Sequence, residues 1–210
     1  MRIDHTAIIA KSASLGEDII IGAYAVIGED CLGESELFRI QHPEQAKMLG
    51  NCRLGRGVRI GAGAYVGVGS HLADGVTCEP QVYIGHYTDV GLNSHVMYAA
   101  QIHNGVCIGA NAWIGGFICN RAVLADDVVC YGRLVHRFVN ADKEADTEAS
   151  PMVEKGAVIG FNAVIVGGVR VGEAAYVGAG AVVVTDVAAK RLYLGVPARD
   201  SGPAPNPFKR

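Results

Sequence analysis

From Leu54 to Ile114 the chain reads LGRGVRIGAGAYVGVGSHLADGVTCEPQVYIGHYTDVGLNSHVMYAAQIHNGVCIGANAWI. Every sixth residue of this stretch is apolar: Leu54, Ile60, Val66, Leu72, Cys78, Ile84, Val90, Val96, Ile102, Ile108 and Ile114. A Gly follows the apolar residue at Gly55, Gly61, Gly67, Gly85, Gly91, Gly109 and Gly115. A period of six matches neither an amphipathic helix nor a strand that alternates along its whole length. It matches a short extended segment, a turn and another short segment, with the aliphatic residue inward and Gly supplying the turn's backbone freedom. One such unit cannot bury its apolar residue alone, so the units must stack into a solenoid with a continuous interior ladder.

Outward from this stretch the same beat holds at Ile9, Leu15, Ile21 and Ile27, and again at Val153, Ile159, Ile165, Val171, Val177 and Val183. It fails in two places. Residues 33–52 (GESELFRIQHPEQAKMLGNC) lack it and carry a short helix candidate after Pro43, so they are expected to leave the solenoid as an excursion. Residues 136–152 (HRFVNADKEADTEASPM) are polar and charged and read as a second protruding loop. Between them the beat restarts two residues early at Ile118, Leu124 and Cys130, which carries one coil across a local deletion. The expected organisation is a repeat domain over 1–186 and a cap and tail over 187–210. A short helix is expected over Val187 to Leu192, and the last ten residues are expected to be mobile.

The 210 residues are half hydrophobic, enough for a sizeable core in one domain, and the 28 Gly follow the repeat. A formal net charge of −3 argues against a general nucleic-acid binder and for a small-molecule or protein partner. No segment reaches the ~20 apolar residues of a membrane span, and the start has no basic segment ahead of a long apolar run. A soluble, cytoplasmic protein is expected. Six Cys occur without a CxxC pair, and Cys78 and Cys130 fall in aliphatic slots, which favours buried free thiols over disulfides or a zinc knot.

The repeat resembles the hexapeptide-repeat, left-handed parallel β-helix acyltransferases, in which three hexads make one triangular coil. The fold class implied is an all-β left-handed β-helix with two protruding loops and a short C-terminal helix and tail. Residues 153–199 (VEKGAVIGFNAVIVGGVRVGEAAYVGAGAVVVTDVAAKRLYLGVPAR) resemble the end of the coenzyme-A-dependent acetyltransferases of this fold. Residues 124–142 (LADDVVCYGRLVHRFVNAD) look most like the sugar-nucleotide N-acetyltransferases. The resemblance implies acetyl-coenzyme A as co-substrate with no metal, a homotrimer, and a coenzyme arm lying between two subunits. The pantetheine arm would need a flat groove, which small outward residues around Gly160, Ala163, Gly178, Ala179 and Gly180 are expected to provide. Lys190, Arg191 and Arg199 are candidates for the coenzyme phosphates, against the simpler account of a solvated basic tail.

Acetyl transfer to an amine needs either a base or an amine that binds neutral, and histidine suits the first task near neutral pH. His103 stands in the slot usually held by Gly, and its segment QIHNGVCIG resembles the QIAHNxxIG segment that carries the base in lipid A N-acyltransferases, with the His one residue nearer the aliphatic position. His103 is therefore the first candidate base and His136, which opens the second loop, the next. His95 and Trp113 are eighteen apart and should stack in neighbouring coils, where they could floor a sugar or nucleobase or serve subunit packing. Asn120 falls near a polar substrate-binding position of the sugar-nucleotide group. His71 and Asp89 should stack likewise, as an oriented imidazole or an ordinary surface pair.

Part of the sugar-nucleotide group is thought to use no protein base at all. Rival readings are a repurposed isomerase or dehydratase, an O-acetyltransferase, a scaffold that presents its loops, and a carbonic-anhydrase-like metalloprotein. The last needs two His two coils apart, and the partners of His71 and His95 at that distance are Cys107 and Tyr131.

Overall fold

The computed structural model describes residues 1–30, 33–137 and 149–205. It is a left-handed parallel β-helix of about ten turns. The two-residue strands stack into three ladders of 11, 9 and 8 strands, which we label sheets A, B and C in the order the chain visits them. The aliphatic beat is the ladder's register: Ile60, Cys78, Val96, Ile114 and Cys130 are successive partners in sheet A. The early restart is visible as Ile102 pairing with Ile118, sixteen residues on.

Each hexad buries two side chains. The aliphatic residue is one; the residue two positions before it is the other, as with Val58 and Ile60, Val82 and Ile84, or Val106 and Ile108. Burial of one Ile removes it from water at roughly 1.5–3 kcal/mol. Where that second position is polar, its hydroxyl is satisfied inside: Ser70 donates to the Gly85 carbonyl at 2.7 Å, Thr88 to that of His103 at 3.0 Å and Ser94 to that of Gly109 at 2.8 Å. Cys78 and Cys130 are buried as the beat requires, and desolvation pushes both thiols up to about 12. They pack as small hydrophobes.

Both excursions leave the solenoid at the same edge, between sheet B and sheet C. The first runs from Ile27 in sheet B to Arg53 in sheet C and holds two helices, α1 (Glu34–Gln41) and α2 (Pro43–Leu49). The helix expected after Pro43 is α2, and α1 is an addition the sequence reading did not make. Phe38 of α1, 2 % exposed, stacks on Tyr87 with ring centroids 5.2 Å apart, and Gln45 of α2 donates to the Gly105 carbonyl at 2.9 Å. These contacts lay the excursion down on the coil edge. The second excursion runs from Val135 in sheet B to Met152 in sheet C, and most of the expected loop, 138–148, lies outside the described residues.

The tail corrects the sequence reading. No helix forms over Val187 to Leu192: Val187 bridges Val171, and Arg191–Leu194 is a strand paired in parallel with Tyr176 and Val177. β-pairing satisfies the backbone edge that the last coil would otherwise leave open, which a helix could not do. Nor are residues 201–203 loose, because Arg199–Pro203 returns antiparallel to Arg191–Leu194.

Candidate functional site

The edge between sheets B and C is where the chemistry-bearing side chains gather. It holds a ladder of side-chain caps. A turn leaves its first amide unpaired, and here the side chain one coil later accepts it: His86 Nδ1 from Val68 N–H at 3.0 Å, Asn104 Oδ1 from His86 N–H at 2.8 Å, and Asn120 Oδ1 from Asn104 N–H at 3.0 Å. Two residues beyond the Ile118–Leu134 pair, Asn120 comes level with His136. Asn120 thus sits in the corner ladder, with its carbonyl oxygen engaged by the Asn104 amide.

His103 is half-buried, packed between Tyr83 (ring centroids 5.8 Å) and Phe117 (4.6 Å). On the same stripe of sheet B, Tyr65 stacks on Tyr83 at 5.2 Å and the Arg133 guanidinium lies over Phe117 at 5.5 Å. His136 is half-buried at the root of the second excursion. There Gly167 leaves the space that both ends of the excursion use: a Cβ on it would meet Arg137 N at 2.6 Å and the Ala149 carbonyl at 2.9 Å. The structure therefore brings His103, Asn120 and His136 to one edge.

His86 was not singled out by its sequence, although it stands two residues past Ile84, the register that the resembled lipid A segment gives its histidine. It is 2 % exposed, under α1. Because Nδ1 accepts the Val68 amide, the ring proton sits on Nε2, 3.7 Å from Asp30 Oδ1. That tautomer leaves no lone pair to act as a base, so His86 is a donor that faces Asp30. Burial works to raise the Asp30 carboxyl, yet the Ser35 hydroxyl, His86 and the Ser35 amide outweigh it and hold it below its ordinary value.

His95 and Trp113 are not at this edge. They lie on sheet A, paired in register, with rings 4.6 Å apart and parallel to within 2°. At a coil spacing of ~4.8 Å the ring planes are therefore perpendicular to the solenoid axis, and Trp113 presents its edge outward. One face is covered by His95 and the other looks along the ladder to Val129. As a flat floor for a sugar or base, the Trp113 face toward His95 is taken. His95 Nε2 is 2.7 Å from Glu79 Oε1, and the other Glu79 oxygen accepts the Tyr98 amide at 2.8 Å. His71 Nδ1 lies 3.2 Å from Asp89 on sheet C, in a pair open to solvent.

The expected coenzyme groove needs correction. Ala163 is fully buried in the core, two positions before Ile165, and so points inward. Gly160 and Gly178 are buried between coils, where a Cβ would come within 2.7 Å of Ala179 N and 2.2 Å of the Leu194 side chain. At Gly160 the neighbours are backbone, so Gly is required by coil stacking, whereas at Gly178 the Leu194 side chain would have to turn aside. Of the five, Ala179 and Gly180 are exposed. Among the basic residues, Arg191 grips Asp200 through Nε and Nη2 (2.8–3.1 Å), and Arg199 donates to the Ala198 carbonyl. Lys190 lines a cavity of about 610 Å³ between the edge joining sheets C and A and the returning tail, with Lys155, Glu173 and Tyr176. Among the described residues, no cluster of three His, Cys, Asp or Glu side chains could hold a metal ion, and no helix is long and apolar enough to cross a membrane.

No family model matches the chain. It is 36% identical over 117 residues to a candidate serine acetyltransferase of Schizosaccharomyces pombe, covering 54% of this chain and 42% of that protein. It is 52% identical over 56 residues to the 2,3,4,5-tetrahydropyridine-2,6-dicarboxylate N-acetyltransferase of Enterococcus faecalis, covering 27% of this chain and 24% of that one. The chain spans less than half the length of these relatives. Among solved structures it superposes on the UDP-N-acetylglucosamine acyltransferase of Campylobacter jejuni with a TM-score of 0.72, over 96% of this chain and 75% of that one, at 18% identity. That likeness establishes the fold, and the named relatives are acetyl- or acyltransferases.

Proposed function

We propose that this chain is an acetyl-coenzyme-A-dependent N-acetyltransferase, acting as a homotrimer on an amino sugar, most simply one linked to a nucleotide. One observation carries the transferase reading: two relatives, matched at 36% and 52% identity over their segments, are named for acetyl transfer. The acceptor belongs at the edge between sheets B and C, where His103, Asn120 and His136 stand together. His103 is the base we assign, with His136 next. The coenzyme supplies the acetyl thioester. The base's part is to take the proton as the acceptor nitrogen attacks, which is worth about 10²–10⁴-fold in rate. Lys190, at the mouth of its cavity, is the favoured cation for the coenzyme phosphates, with Arg191 and Arg199 secondary because the first is ion-paired and the second is bound to a carbonyl.

A second reading, O-acetyl transfer to serine, is favoured by the S. pombe match. Thiol release from acetyl-coenzyme A, measured against a panel of nucleotide-linked amino sugars, free amino sugars and serine, separates the two. Turnover with a nucleotide-linked amino sugar is the expected result. Turnover with serine alone would install the second reading, and no thiol release with any acceptor would remove the transferase.

A further inference from the structure

The sequence reading left Arg133 without a role. It lies exposed on sheet B, in register between Phe117 of the coil before and Val164 of the coil after, with its guanidinium carbon 5.5 Å from the centre of the Phe117 ring. His103 packs against that same ring at 4.6 Å. Arg133 forms no ion pair among the described residues, whereas Arg191, Arg170, Arg56 and Arg39 each face a carboxylate. From 115 to 137 the only carboxylates in the sequence are Asp126 and Asp127. Both sit at the opposite edge, where Asp126 accepts the Ala110 amide and Asp127 faces Lys155.

An arginine held over an aromatic ring by a cation–π contact keeps its N–H fork for a ligand, and its planar fork matches a phosphate in two bonds. We infer that Arg133 is the anchor for the phosphate of the acceptor, and that the acceptor is a nucleoside diphosphate conjugate whose phosphate lies one aromatic ring away from His103. Arg121 and Arg137, which follow Asn120 and His136 in the corner column, add cations to the edge, which also holds Asp30 beside His86. This rests on the proposed acetyl transfer for its chemistry, but its anion site can be measured without turnover.

Uridine diphosphate titrated calorimetrically into the full chain and into Arg133→Met and Arg133→Lys is the test. Met preserves the apolar stem on Phe117 and removes the fork, so the fold is kept. The wild type is expected to bind saturably. Arg133→Met should weaken that binding roughly tenfold or more, the loss of a charge-assisted contact, and Lys should recover part of it. Coenzyme A affinity should be the same in all three. With an active nucleotide-linked acceptor, KM should rise by a like factor while kcat holds. Equal uridine diphosphate affinity in wild type and Arg133→Met, or no binding by wild type, would overturn the inference while leaving acetyl transfer to other amines intact. Binding that is lost in Arg133→Met in a protein that acetylates nothing would uphold the anion site and sink the transfer reading instead.

Discussion

The two edges that flank sheet C solve one mechanical problem with different chemistry. Each turn leaves an amide that the next coil must accept. At the edge between C and A the acceptors are carboxylates: Asp74 takes the Arg56 amide and Asp126 that of Ala110, each at 2.8 Å. At the edge between B and C they are an imidazole and two carboxamides, His86, Asn104 and Asn120, at the same distances within 0.2 Å. The hydrogen bonds are equivalent, but the acceptors of one ladder are charged and those of the other are not. The neutral ladder runs along the edge where both excursions leave, beside the sheet that carries Arg133, and the carboxylate described there, Asp30, is engaged by Ser35 and faces His86. What the difference teaches is that the site is marked less by any one histidine than by carboxylates being absent from a ladder that elsewhere uses them.

The largest expected effect breaks the edge itself. Phe38→Ala empties the contact that seats α1 on Tyr87 and should cost about 3–5 kcal/mol of the excursion's docking. Hydrogen exchange would show α1 and α2 opening while sheets A and C keep their protection. Next, His103→Ala should lower turnover on the order of a hundredfold by removing the base. Because its ring is packed against Tyr83 and Phe117, it should also destabilise by about 0.5–1.5 kcal/mol, the worth of an aromatic pair. Unchanged kcat in His103→Ala would remove the assignment.

A sharper variant exchanges the chemistry of the two edges. Asn104→Asp keeps the acceptor for the His86 amide but places a carboxylate in the neutral ladder. It should weaken uridine diphosphate binding several-fold with stability changed by about 0.5 kcal/mol or less, as for a substitution that keeps its contacts. Asp126→Asn makes the reverse exchange on the far edge and should leave binding alone. Equal effects of the two variants in the titration would show that the charge of the ladder is irrelevant.

The smallest effect concerns pH. Glu79 is held below its ordinary value of 4.5, first by its hydrogen bond to His95 and then by the Tyr98 amide. A carboxyl that is depressed in the fold contributes stability that is complete above its unfolded value and is lost as pH falls through the folded one. Urea unfolding between pH 6 and pH 3 should therefore show stability falling below about 4.5, slightly less steeply in Glu79→Gln than in wild type. Identical slopes would mean the pair does nothing for the fold.

The repeat made the fold legible because one rule, an inward aliphatic every six residues, holds through nearly all the coils, including the two-residue skip before Ile118. The second inward position was harder to see. Ala, Ser, Thr and Val share it, so no hydrophobic beat marks it, and Ala163 was misplaced for that reason. The tail misled because Val187 to Leu192 has a helix-compatible local composition, while pairing with the last coil, a tertiary effect, decided for strand. His103 stood out in its Gly slot, while Asn120 and His136 were chosen through the family resemblance; it is the ladder register that brings the three to one edge. Counting put His95 beside Trp113 but could not show that the rings would stack and close each other's faces. Asp30 and His86 were invisible as a pair, since the excursion between them breaks the count that would have related their coils.

The most direct test of the central claim is isothermal titration of the purified protein with acetyl-coenzyme A and with coenzyme A. The account predicts saturable binding of both at one site per subunit, weakened by Lys190→Ala and unaffected by Arg133→Met. No binding of either at millimolar ligand would contradict it.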